Sequence, residues 1–187
     1  MKNMRKWIFL AVLCLTGMMV QAQRHEALSE KEVAQFSSLF YTNFQHVKMY
    51  ICSNLESVKA GDVIKVGVYF RIDEGWNIYD NNPEADGYLP TKIEWRVPEG
   101  CKVEKVEWQK PVQLGENSRK MGYYQGCFVV VTIRVEKLPK SAFEIKAECE
   151  WQMCDELQCI QKRGTAVVKL KNEGTKKTKF YSILKKW

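Results

Sequence analysis

Cys154 and Cys159 bracket four residues in Trp151-Gln152-Met153-Cys154-Asp155-Glu156-Leu157-Gln158-Cys159-Ile160. A disulfide over so short a span removes little entropy from the unfolded chain, so its use points to thiol–disulfide exchange more than to stability. An inert hairpin disulfide is the competing reading of the same spacing. Bonded cysteines need Cα atoms about 4.4–6.8 Å apart, whereas an extended strand would hold this pair about 17 Å apart. Asp155-Glu156-Leu157-Gln158 must therefore double back as a loop or tight hairpin. Exchange also needs access and a thiolate, the attacking species. Asp155 and Glu156 oppose the thiolate by raising a thiol pKa, while Lys162 and Arg163 act the other way.

The elements that must hold this pair are strands. Residues 47–52, 63–72, 92–97, 101–108, 127–135, 143–151 and 165–170 are rich in Val, Ile, Tyr and Phe with a period of two. Turn signals separate them: Lys59-Ala60-Gly61-Asp62, Asp73-Glu74-Gly75, Asn81-Asn82-Pro83, Pro98-Glu99-Gly100 and Leu138-Pro139-Lys140. Seven short strands so punctuated predict an all-β fold, a two-sheet antiparallel sandwich. Before them, Ser29 and Glu32 form a capping box, with Val33, Phe36, Leu39, Phe40 and Phe44 at helical spacing. A short N-terminal helix is expected to lay one face on the domain. No internal repeat or second domain is visible.

The N-terminus sets the compartment. Lys2, Arg5 and Lys6 precede an apolar run from Trp7 to Val20, and Val20-Gln21-Ala22 has the small-residue pattern of a signal-peptidase site. Residues 1–22 read as a cleaved leader, since the run is shorter than the ~20 residues a membrane span needs. Cys14 goes with it, and Leu13 before it argues against lipidation. Six of the seven cysteines remain, an even number suited to an oxidising compartment, with fifteen full pairings open. Cys127 and Cys149 fall on consecutive predicted strands, nearly opposite, so they form a cross-strand disulfide or pack as core thiols. Cys52 and Cys101 pair only by elimination.

Charge localises. Without the leader, 26 Lys and Arg face 22 acids, and residues 171–187 hold six Lys against one Glu. The folded body is near neutral and lacks the basic face of a nucleic-acid binder. The basic tail is expected to be a solvated, partly ordered terminus, although Phe180, Tyr181, Ile183, Leu184 and Trp187 among its lysines offer a contact with anionic lipid or a partner.

Other chemistries are poorly supplied. The spacing of Cys149, Cys154 and Cys159 matches neither zinc pairs nor an iron–sulfur run, and His25 and His46 lie far off in sequence, so neither metal nor cofactor is expected. Residues 80–87 resemble a calcium loop only faintly, with glycine at the eighth position and a proline inside, and read as a solvated turn. No Ser/His/Asp set can be assembled. Trp76, Tyr79, Trp95 and Trp108 would line a sugar-binding face if exposed, and pack as core if not.

Gly75-Trp76-Asn77-Ile78-Tyr79, Asn82-Pro83, Gly87, Leu89-Pro90-Thr91, Ile93, Trp95, Pro98, Gly100, Trp108, Pro111 and Gly122-Tyr123, followed by Cys154 and Cys159, together resemble the N-terminal periplasmic domain of the DsbD thiol:disulfide interchange family. The resemblance spans residues 47–170. It implies an immunoglobulin-like sandwich in the periplasm whose cysteine pair passes electrons from a membrane-embedded transporter to exported thioredoxin-like proteins. It also implies that Cys159 forms the mixed disulfide with a partner and Cys154 resolves it. Two positions depart from the family pattern: Ile160-Gln161 stands where a proline often follows the second cysteine, and residues 112–118 carry no aromatic to cover the pair, leaving Leu114. No long apolar segment follows residue 170, so the transporter is expected on another chain. A non-catalytic sandwich that binds protein or glycan, with structural disulfides, is the alternative reading.

Overall fold

The computed structural model describes residues 24–82, 87–116, 118–140 and 143–187. The leader with Cys14, and residues 83–86 of the turn weighed as a calcium loop, lie outside them. In chain order the elements are β1 (Arg24–His25), α1 (Glu30–Ala34), a 3-10 turn (Gln35–Ser38), β2 (Thr42–Phe44), β3 (Val47–Ser53), β4 (Leu55–Ser57), β5 (Val63–Ile72), β6 (Asn77–Tyr79) and β7 (Lys92–Arg96). There follow β8 (Cys101–Gln109), β9 (Val112–Gln113), β10 (Met121–Tyr124), β11 (Gly126–Val135), β12 (Phe143–Cys154), β13 (Cys159–Leu170), β14 (Lys176–Lys177) and α2 (Tyr181–Leu184).

One sheet runs β1-β8-β11-β5-β3-β2 and the other β13-β12-β6-β10-β9, with β7 also on β12; β14 pairs with β4 at the side. Apart from the parallel β1–β8 pair, the ladders are antiparallel. This is the expected immunoglobulin-like sandwich. Alternation sets its core: Phe143, Ile145, Ala147, Cys149, Trp151 and Met153 of β12 face Val47 and Met49 of β3 and Val68 and Phe70 of β5 across the gap. Trp151 sits edge-on to Phe44 and Phe70, with ring centroids 4.9 and 5.4 Å away.

β5 and β11 are buried on both faces, unlike strands of a two-layer sandwich with a wet outer side. Their second face carries Tyr69 and Phe128, and the two chain ends cover it. Phe36 comes from the N-terminal turn; Phe180, Ile183, Leu184 and Trp187 come from the C-terminus. The basic tail is therefore no solvated terminus. Its lysines point outward while its apolar residues pack on the sheet, so those residues are not free to enter a lipid surface. Lys186 ties the two ends together by an ion pair to Glu32 of 2.6 Å. That ammonium, helped by the hydroxyl and backbone N–H of Ser29, holds the Glu32 carboxyl down at about 2.

The N-terminal helix is shorter than its apolar spacing suggests. After Ser38 the chain turns extended at Leu39, Phe40 stands fully in solvent, and Phe44 lies on β2 against Trp151. A tertiary contact for Phe44 overrides the helical period. No helix among the described residues is long and apolar enough to cross a membrane.

Candidate redox site

The site grows from the β12–β13 hairpin. Its ladder runs from Phe143↔Leu170 to Cys154↔Cys159, so the two cysteines form the last rung before the turn. Their Cα atoms are 4.1 Å apart and their sulfurs are bonded. The Asp155 carboxylate closes the turn: Oδ1 accepts the N–H of Leu157 and of Gln158, each at 2.8 Å, while the Asp155 N–H donates to the Gln158 carbonyl at 3.0 Å. Those donors, Leu157 first, hold the Asp155 carboxyl below its ordinary value, so it stays charged and keeps the turn closed at neutral pH. Asp155 thus has a structural task that charge counting did not foresee.

Parity along β12 explains which cysteine joins which. Cys149 and Met153 point into the core, whereas Cys154 sits on the opposite face with Gln152 and Glu150. Cys154 nevertheless keeps only 3% of its surface exposed, because Tyr79 and Leu114 pack on it and Tyr88 on them. Cys159, at the start of an edge strand, is exposed. Beside the pair lies a hollow of about 560 Å³ walled by Asn77, Tyr79, Tyr88, Leu114, Lys120 and Tyr124. The Lys120 ammonium rests over the Tyr88 ring, 4.0 Å from its centroid.

Leu114, the one apolar candidate left in residues 112–118, does cover the pair, and two aromatics missed from sequence join it. Tyr79 belongs to the Gly75–Tyr79 motif, where its burial was unreadable; Tyr88 lies in a stretch whose polar composition signalled only a turn. Of the cations beyond the pair, Arg163 is committed to Glu150 at 2.9 Å. It gives the thiols less than its charge suggests.

Gly122 on β10 makes the close packing possible. A Cβ there would run into the Ile78 carbonyl oxygen and the Leu114 side chain. Gly122→Ala is expected to cost about 1–3 kcal/mol in urea unfolding and to unseat Leu114, so that dithiothreitol opens the disulfide faster than in the parent chain.

The remaining described cysteines are free thiols. Cys127 and Cys149 are not cross-strand neighbours: β11 and β12 belong to different sheets, and both thiols pack in the core between them. Burial pushes Cys149 up to about 12 and raises Cys52 and Cys127 well above the ordinary thiol value, and Cys101 is raised by its partial burial. The aromatics considered for a sugar face are also internal. Trp76, Tyr79 and Trp108 are buried and Trp95 packs against the core. His46, remote in sequence, stacks on Trp76 with ring centroids 4.0 Å apart.

Solved structures similar to the chain include the N-terminal periplasmic domain of ScsB from Proteus mirabilis, with 15% identity and a TM-score of 0.55 over 76% of this chain. The match spans about half, 54%, of the ScsB chain's length. The N-terminal domain of Neisseria meningitidis DsbD in its reduced form is 16% identical, with a TM-score of 0.36 over 69% of this chain and 90% of its own. No curated protein matches the sequence. The family described as thiol:disulfide interchange protein DsbD, N-terminal, matches residues 52–171, and by that match, over more than half of its length, the chain belongs to the DsbD N-terminal domain family.

Proposed function

We propose that residues 47–170 form an exported thiol:disulfide interchange module that relays electrons through a reversible Cys154–Cys159 disulfide to envelope proteins. The observation that carries this reading is the asymmetry of the pair: Cys159 is open to solvent while Cys154 is covered by Tyr79 and Leu114. An inert staple has no need of one reachable sulfur and one shielded sulfur.

In the reduced module the Cys159 thiolate attacks a sulfur of the partner's disulfide. That bond breaks, its electron pair leaves on the partner's other sulfur, which takes a proton, and a mixed disulfide joins Cys159 to the partner. Cys154 then gives up its proton and attacks the Cys159 sulfur, expelling the partner's second thiolate. Two electrons and two protons pass to the partner, and Cys154–Cys159 is bonded again. A membrane-embedded DsbD-like transporter reduces the pair for the next cycle, and exported thioredoxin-like proteins accept its electrons. The periplasm is the site of action, with the leader removed after Ala22.

Selectivity for this bond is supported by the state of the other thiols. Burial suppresses the thiolate at Cys52, Cys127 and Cys149, so they take no part in exchange near neutral pH. The test is to treat the purified chain with reduced thioredoxin, alkylate it, and map the cysteines that react. Cys154 and Cys159 are expected to gain label while Cys52, Cys127 and Cys149 stay protected.

A further inference from the structure

Leu157 stands at the tip of the hairpin turn with 94% of its surface exposed. Single exposed leucines are ordinary, but this one is held rigidly. The turn is four residues long, closed behind by the Cys154–Cys159 bond and inside by the Asp155 carboxylate, which accepts the N–H of Leu157 itself. Tyr124, across the hollow beside the disulfide, is also half exposed. Glu156, next to Leu157, is exposed and makes no ion pair among the described residues. A fixed apolar knob, an unpaired acid and a reachable sulfur thus share one tip.

We infer that Leu157 and Glu156 select the partner: the tip fits a protein whose reactive cysteine lies beside an apolar socket with a basic rim. Leu157 enters the socket and loses its water, Glu156 meets the rim, and the partner's sulfur is brought against Cys159. A rigid apolar anchor adds affinity with little ordering cost, and an unpaired acid excludes acidic rims. Lys120, a cation on the facing wall, rests over the Tyr88 ring, while the turn itself carries two acids, Asp155 turned inward onto its backbone and Glu156 outward, so the tip is negative and Glu156 is the acid a partner's rim would meet. The inference rests on the reading of Cys154–Cys159 as an exchanging pair.

The probes are dithiothreitol, reduced thioredoxin, and thioredoxin variants bearing lysines or glutamates around the active-site cysteines. Leu157→Ser is expected to slow opening by thioredoxin about tenfold, Leu157→Met to restore it, and dithiothreitol to open all variants at the parent rate. At low salt the lysine-rimmed thioredoxin should outpace the glutamate-rimmed one, and Glu156→Lys should reverse that order. An unchanged thioredoxin rate in Leu157→Ser, or a rim preference untouched by Glu156→Lys, overturns the inference, as does an effect of Leu157→Ser confined to self-association. If neither dithiothreitol nor thioredoxin opens the bond in the parent chain, the proposed function falls first.

Discussion

Replacing Cys154 by alanine is expected to convert the module into a trap. Thioredoxin that keeps only its attacking cysteine, activated there with thionitrobenzoate, presents a disulfide that Cys159 can reach. The exposed thiolate displaces the coloured leaving group, and with no second thiol at the site the covalent adduct persists. Cys159→Ala leaves Cys154 as the lone thiol under Tyr79 and Leu114. Uncovering it costs about 3 kcal/mol of apolar burial, a factor on the order of 100 in rate. Thionitrobenzoate release should be fast in Cys154→Ala and about 100-fold slower in Cys159→Ala, with mass spectrometry placing the adduct on Cys159. Equal rates would remove the division of roles. Cys101, only partly buried, is the thiol to check as a background site.

The second large effect concerns stability. Ending the chain after Lys179 removes Phe180, Ile183, Leu184 and Trp187, all buried against Phe36, Tyr50, Tyr69 and Phe128. Buried side chains of this size stabilise by about 1.5–3 kcal/mol each. After the entropy regained by the released residues, the loss should be about 4 kcal/mol in urea unfolding. Lys185→Ala, at an exposed position, should change stability by less than about 0.5 kcal/mol. A truncation as mild as that single substitution would mean that the C-terminus does not support the sheet.

The sequence showed most clearly what alternation controls. Val63–Ile72 was legible to the residue, because its β-branched run is bounded by Gly61-Asp62 and Asp73-Glu74-Gly75. The hairpin at Cys154 and Cys159 followed from the reach of a disulfide alone. β13 was harder: it begins at Cys159, but Gln161, Lys162, Arg163 and Gly164 carry little strand propensity and are paired because β12 beside them is so well anchored. The C-terminus was misread because six lysines drew attention from Phe180, Ile183, Leu184 and Trp187, whose i, i+3, i+4, i+7 spacing is a helical apolar stripe. Near the site, Leu114 was legible only as the one candidate in a stretch without a covering aromatic, while Tyr79 and Tyr88 were not legible as cover at all. Their contact with the disulfide region depends on β6 pairing with the end of β12, a long-range register that no local pattern encodes. For Cys127 and Cys149 the core-thiol alternative held, while their expected cross-strand adjacency failed for a similar reason: neighbours in strand order fell into different sheets.

The measurement that bears most directly on the account is the cysteine map after equilibration with reduced thioredoxin. The account predicts that Cys154 and Cys159 acquire label together, that Cys52, Cys127 and Cys149 stay protected, that the chain remains folded, and that oxidised thioredoxin restores the bond. A Cys154–Cys159 bond that stays closed while the fold persists, or opens only when the chain unfolds, would contradict it and leave the disulfide a structural staple.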